Sequence, residues 1–236
     1  MLKRILNILV NLIILSAVIA VIIGCVLGVK GFILYKQKVD YRSLSAVSGE
    51  IKSDPLFTPT DELPDFYLKA VVAIEDRDFY KHGGIKVSSI FRALIANINA
   101  GAPVQGGSTI TQQLAKNELF TQEKTVDRKV AEVFAAFAFE REFSKDEILE
   151  LYVNSIYFGD GCSGIGEASE KLFGKKPSEL TRLECAKLAG IPNAPSKYSV
   201  KNAPDEVRKR SEEVLKAMLS AGYINEEDIS EILSEE

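Results

Sequence analysis

From Ile5 to Val29 the chain is apolar except at Asn7, Asn11 and Ser16, with Lys3 and Arg4 ahead of it. A helix of that length crosses a bilayer core of about 30 Å. A secretory signal has a shorter apolar region, about 7–15 residues, and a small-residue cleavage site after it. Residues 1–30 are therefore read as a membrane anchor. Charge does not orient it, because Lys3 and Arg4 on one side face Lys30, Lys36, Lys38 and Arg42 on the other.

Residues 31–54, mixed and polar, read as a stalk leading to an irregular stretch punctuated by Pro55, Pro59 and Pro64. Helical spacing then dominates. An apolar-periodic run covers Asp65 to Tyr80, and Val87, Ile90, Phe91, Leu94, Ile95 and Ile98 repeat on a second helix that carries Arg92 and ends before Gly101. Thr109 with Gln112, Ser144 with Glu147 and Thr181 with Glu184 have capping-box spacing, so each opens a helix. Long helices are expected over Val126–Phe143 and from Pro204 to Gly222, and Asn225 starts a short acidic segment read as a solvated tail over residues 223–236. Strand signals are few. The fold class is mostly α.

The chain has 236 residues, room for one domain plus an anchor. Its net charge of −4, from 29 basic and 33 acidic residues, argues against a nucleic-acid partner. Cys25, Cys162 and Cys185 make no disulfide framework, and buried thiols are the expected state for the last two. One histidine without Cys/His spacing supplies no zinc site.

Chemistry concentrates in two stretches. Residues 71–84, VVAIEDRDFYKHGG, end an apolar helix in charge, where packing neighbours raise the pKa of a carboxylate towards that of a general base; Glu75 is the candidate. Residues 106–117, GGSTITQQLAKN, combine glycines, hydroxyls, amides and a lysine at a helix start, where free N–H groups attract anions. Taken alone, the first stretch reads equally as a solvated helix end and the second as a capped helix. Together they resemble the peptidoglycan glycosyltransferase family, in the pattern E-D-x-x-F-x-x-H-x-G at Glu75, Asp76, Phe79, His82 and Gly84, and G-x-S-T-I-T-Q-Q from Gly106 to Gln113. Three further motifs match in order: Arg128, Lys129 and Glu132; Lys145 to Asn154; and Arg182 to Tyr198.

The resemblance spans residues 55–222 and implies a lysozyme-like two-lobed helical domain that polymerises lipid II outside the cytoplasmic membrane of a bacterium. It implies Glu75 as the base that deprotonates an acceptor sugar hydroxyl, with inversion at the donor. Glu132 is implied as the second carboxylate, positioning the leaving diphosphate through basic side chains or through a divalent cation, magnesium or manganese; the competing view makes it a structural acid paired to Arg128. Lys116, Lys124, Arg128 and Lys129 are implied as the diphosphate clamp, with Lys124 and Arg128 on one helix face provided the helix starts early enough. Taken alone, these cations read as ion pairs on an exposed face. Ser108, Thr109, Gln112 and Gln113, supported by Asn117, are expected to bond sugar and phosphate oxygens. Phe79, Arg92 and His82 belong to the same implied substrate site, His82 ordering the loop and Asp76 playing an orienting or structural part beside the base, while Tyr152 and Asn154 brace it from beneath.

The implied partners are lipid II, a lipid-linked nascent glycan, the membrane and other wall-synthesis proteins. The chain ends soon after the fifth motif without a transpeptidase S-x-x-K segment, so the expectation is a monofunctional enzyme, although a truncated two-domain protein reads identically up to Gly222. Two alternatives are a lysozyme-like glycan-cleaving enzyme, which also uses a helix-borne glutamate, and a catalytically silent scaffold of a wall-building complex. Cations beside the acid favour synthesis over cleavage.

Overall fold

The structure is a computed structural model that describes residues 2–89, 92, 95, 106–121 and 123–235. Helix α1, Leu2–Tyr41, is one continuous helix of 40 residues, about 60 Å long at 1.5 Å per residue. Its apolar side chains from Ile5 to Val29 lie exposed on every side, and an 18-residue window reaches a mean hydropathy of 3.1. A bare apolar surface of that extent needs a cover other than water.

The stalk reading fails in a specific way. Residues 31–41 continue α1 and pack along α5, Val126–Glu142, in the same direction. Gly31 lies so close to Val130 that an added Cβ would stand 2.5 Å from its Cγ1. Phe32 meets the Phe134 ring edge-on at 5.4 Å, and Tyr35 stacks on it at 6.2 Å, pairs worth about 0.5–1.5 kcal/mol each beyond their burial. Residues 44–52 form α2, Leu44–Lys52, capped by Ser43, with Leu44, Val47 and Ile51 in the core. Arg42 locks this corner by donating to the Glu118 carbonyl at 2.8 Å.

The remaining helices form two packing groups. One joins α3, Asp65–Glu75, to α8, Arg182–Gly190, and α9, Pro204–Ala221. The other joins α4, Ile110–Leu119, to α5 and to α6, Lys145–Ser155, with α2 and α7, Ile165–Phe173, against α6. No described residue lies in a strand; the sole β-type pairing among them is the bridge between Tyr157 and Ser163. All three expected capping boxes form, at Thr109, Ser144 and Thr181. Val87, Ser88, Ser89, Arg92 and Ile95 are helical, while the other positions of the expected second helix (Ile90, Phe91, Leu94 and Ile98) lie outside the described residues.

The C-terminal segment is not a free solvated tail. Helix α10, Glu226–Leu233, buries Ile232, and Arg182 pairs with Glu231 at 2.7 Å and Glu235 at 2.8 Å. Cys162 and Cys185 are buried free thiols.

The glycine pair after the first motif is asymmetric. A Cβ on Gly84 would lie 2.7 Å from the Ala136 carbonyl carbon on α5, whereas one on Gly83 would meet nothing within 4 Å. Gly84→Ala is therefore expected to destabilise the fold by about 1–3 kcal/mol and Gly83→Ala to leave it near wild type; thermal unfolding of both variants in detergent checks the contrast.

Candidate active site

Helix α3 ends at Glu75 because Asp76 turns the chain, with φ −155° and ψ 75°. Asp76 is buried and occupies the seam between the two helix groups. Its carboxylate pairs with His82 Nε2 at 2.8 and 3.0 Å and accepts the N–H of Ile110, the first residue of α4, at 3.3 Å. A carboxylate at a helix N-terminus gains from the free N–H groups there. His82 thus ties the loop to Asp76, and Phe79, fully buried beneath the Lys145 ammonium at 4.2 Å, packs under it.

Gln112 lines neither cavity, and Thr109, although it lines the first, has its polar groups committed elsewhere. Both are 2% exposed and spend their polar groups on each other's backbone, at 3.1 Å in each direction, while the Thr109 hydroxyl donates to the Gly84 carbonyl at 2.7 Å. They build the helix start instead. Gln113, one residue on, faces the site, where its Nε2 donates to Glu75 Oε2 at 2.6 Å. Glu75 Oε1 is buried and has no hydrogen-bond partner among the described residues. Burial raises the Glu75 pKa above the usual carboxylate value, against the lowering effect of Gln113, Arg210 and Lys116. A water-poor carboxylate with one free oxygen is suited to taking a proton near neutral pH.

Two cavities, of about 420 and 440 Å³, meet at Glu75, with Ile74, Arg92, Gly106 and Ser108 on both walls. The first continues past Asp78, Lys81 and Lys86, and the second past Gln113, Lys116, Asn193 and Arg210. Lys129 Nζ reaches Ser108 Oγ at 2.7 Å, so the first turn of α5 borders the shared wall. Glu132, with no exposed surface, holds the clamp in place: Arg128 Nη1 hydrogen-bonds to its Oε1 and Lys129 Nζ to its Oε2 at 2.9 Å. Partial burial and the neighbouring Arg128 lower the pKa of Lys116, and the same causes, with Lys116 itself, push Lys129 down to about 8. Cations forced this close on a helix's first turn, where the backbone is also positive, make a strong anion site.

Lys124 is not on the Arg128 face. Thr125 caps α5, so the helix begins two residues after Lys124, which is exposed. Asn117 is half-buried on α4. Both oxygens of Glu132 are engaged by cations, and among the described residues no three His, Cys, Asp or Glu side chains gather to hold a metal. This donor set does not fit a resident divalent cation. Tyr152 touches the site, its hydroxyl donating to Gln113 Oε1 at 3.3 Å, whereas Asn154 holds the Thr58 backbone N–H and carbonyl, at 2.8 Å each, away from both cavities.

Arg210 and Asn193 are site residues that sequence reasoning missed. Asn193 sits within the Arg182–Tyr198 motif, but Arg210 lies in a charged helix, R-K-R-S-E-E, whose pattern gives no sign of which cation turns inward. Its guanidinium donates to the Gly190 carbonyl at 3.1 Å and to Glu213 at 2.6 Å.

The family described as transglycosylase matches residues 43–219. The chain belongs to the transglycosylase family. It is 39% identical over 208 residues to a Cupriavidus necator protein named as a transglycosylase, covering 88% of each chain. Penicillin-binding protein 1A of Aquifex aeolicus is 46% identical over 178 residues, 75% of this chain and 24% of that protein. Penicillin-binding protein 1A of Escherichia coli is 41% identical over 192 residues, 81% of this chain and 22% of that one. The chain thus spans about a quarter of these penicillin-binding relatives. All five motifs, with Glu75, Glu132 and the clamp, fall inside the transglycosylase match.

Asp76→Ala is expected to leave His82 and the α4 N-terminus without their shared acceptor and to cost about 2–3 kcal/mol, as for a buried charged hydrogen bond. Chemical denaturation checks the magnitude, and an unchanged midpoint would remove Asp76 from the seam.

Proposed function

We propose that the protein polymerises lipid II into β-1,4-linked glycan strands at the outer surface of a bacterial cytoplasmic membrane. The observation that carries this reading is the shared cavity: Glu75, with one oxygen unpartnered, lines it together with Lys116, and Lys129 reaches Ser108 on its wall. Glu75 Oε1 takes the proton of the acceptor's sugar hydroxyl as that oxygen bonds to the donor's anomeric carbon. The bond from that carbon to the lipid diphosphate breaks, and the departing oxygens keep the electron pair and are neutralised by Lys116, Arg128 and Lys129. Attack opposite the leaving group inverts the configuration.

The anchor supports the same reading. Lys30 lies 3.9 Å from Asp127, and Gly31 touches Val130, so the clamp's turn stands where α1 leaves its apolar stretch. A diphosphate on a lipid tail would meet the cations at headgroup height. Glycan cleavage uses a glutamate but needs no cations for a departing diphosphate, so the clamp favours synthesis. A silent scaffold would have no use for Glu75 and its free oxygen.

In detergent-solubilised protein with labelled lipid II, Glu75→Gln is expected to cut polymerisation by about 10²–10⁴-fold, the range for a lost general base, while leaving lipid II binding in place; full activity would contradict the assignment. Lys116→Ala should weaken donor engagement and raise the donor KM; an unchanged donor dependence would remove Lys116 from the clamp. Activity must rise with pH as Glu75 loses its proton, above the ordinary carboxylate range, and fall again near pH 8 as Lys129 loses its charge. A rate profile with no alkaline limb would remove Lys129 from the clamp.

A further inference from the structure

The hydrogen bond from Tyr152 to Gln113 serves no substrate. Tyr152, on α6, is 1% exposed and lines neither cavity. Its hydroxyl nevertheless ends a chain that crosses three helices, from Tyr152 O–H to Gln113 Oε1 at 3.3 Å and from Gln113 Nε2 to Glu75 Oε2 at 2.6 Å. We infer that Tyr152 is a positioning residue that selects the reacting oxygen of Glu75 by holding the Gln113 amide in one of its two flips. The inference rests on Glu75 being the base of the proposed reaction.

An amide has a donor end and an acceptor end of nearly the same shape, so Gln113 fits its site in two orientations. In the observed one, every polar group in the chain is used: the phenol donates, the carbonyl accepts, and the NH₂ donates to Oε2. Oε2 is thereby withdrawn, and Oε1 alone remains without a partner. In the flipped orientation the carbonyl would face the carboxylate, which repels it, and the phenol proton would lose its acceptor in an apolar pocket. Burial drives the Tyr152 pKa well above that of a free phenol, so the hydroxyl keeps its proton and stays a donor throughout the working range. The phenol therefore biases the amide continuously, and the amide biases the base.

The test is Tyr152→Phe, which removes one oxygen, in the full chain in detergent with lipid II. With the bias gone, Gln113 spends part of its time flipped, and the charged form of Glu75 loses its donor. The expected result is a kcat lowered by about tenfold, on the scale of one unsatisfied buried group, with KM unchanged and the acid limb of the rate profile moved to higher pH. The same substitution in a Gln113→Leu background should then have no further effect, because the two side chains act as one unit.

Wild-type kcat and acid limb in Tyr152→Phe would overturn the inference, as would an effect that persists undiminished in the Gln113→Leu background. A Tyr152→Phe chain that no longer folds would make the residue a packing element and would equally overturn it. Glu75→Gln separates this inference from the functional reading: if that variant is inactive while Tyr152→Phe behaves as wild type, the inference alone fails, whereas an active Glu75→Gln removes the base itself.

Discussion

A carboxylate stripped of water on one oxygen and tied by an amide on the other is a costly thing to hold in a fold. Glu75 stays in that state because packing from both helix groups surrounds it: its own helix, with Val71 and Val72 buried, packs on α8 and α9, while Gln113 arrives from α4. Desolvation disfavours its charged form, and the cations that oppose this effect, Arg210 and Lys116, are the ones whose positions define the second cavity. The raised carboxyl pKa, the cavity and the electrostatic field therefore arise from one arrangement.

The neighbouring Asp76 makes that arrangement rigid. A single buried carboxylate holds His82 on one side and the first N–H of α4 on the other, so the end of α3 and the start of α4 keep a fixed spacing. From α4 the constraint passes to α5, where the Thr111 hydroxyl donates to Glu140 at 2.5 Å, and α5 packs along residues 31–41 of α1. Buried Glu132 keeps Arg128 and Lys129 aligned at the opposite end of the same helix. It behaves as the structural acid of the pair and, at the same time, as the device that aims two cations.

Much of the arrangement was legible in the sequence, because local rules and tertiary structure agree there. Capping boxes at Thr109, Ser144 and Thr181 open helices where their spacing says they should, and Gly222 ends α9 in the left-handed conformation. The errors came where a side chain's partner is remote. Leu44, Val47 and Ile51 repeat at helical spacing, but four serines and Gly49 between Ser43 and Ser53 made the segment look like a stalk until α6 supplied its partner face. Thr109 and Gln112 belong to a motif that puts Gly106, Ser108 and Gln113 on the cavity walls, yet capping consumes their own polar groups. Lys124 lies just outside its helix, separated from the first helical residue, Val126, by the cap Thr125. Arg210 was invisible because amphipathic spacing shows which face is polar but not which polar residue another helix will claim.

The most direct measurement of the central claim is the structure of the full chain with a non-reactive lipid-linked sugar diphosphate bound in a membrane mimic. The account predicts the diphosphate against Lys116, Arg128 and Lys129, and an acceptor sugar hydroxyl within hydrogen-bond reach of Glu75 Oε1. A diphosphate seated instead at Lys81 and Lys86 of the other cavity, with Glu75 facing no sugar hydroxyl, would contradict it.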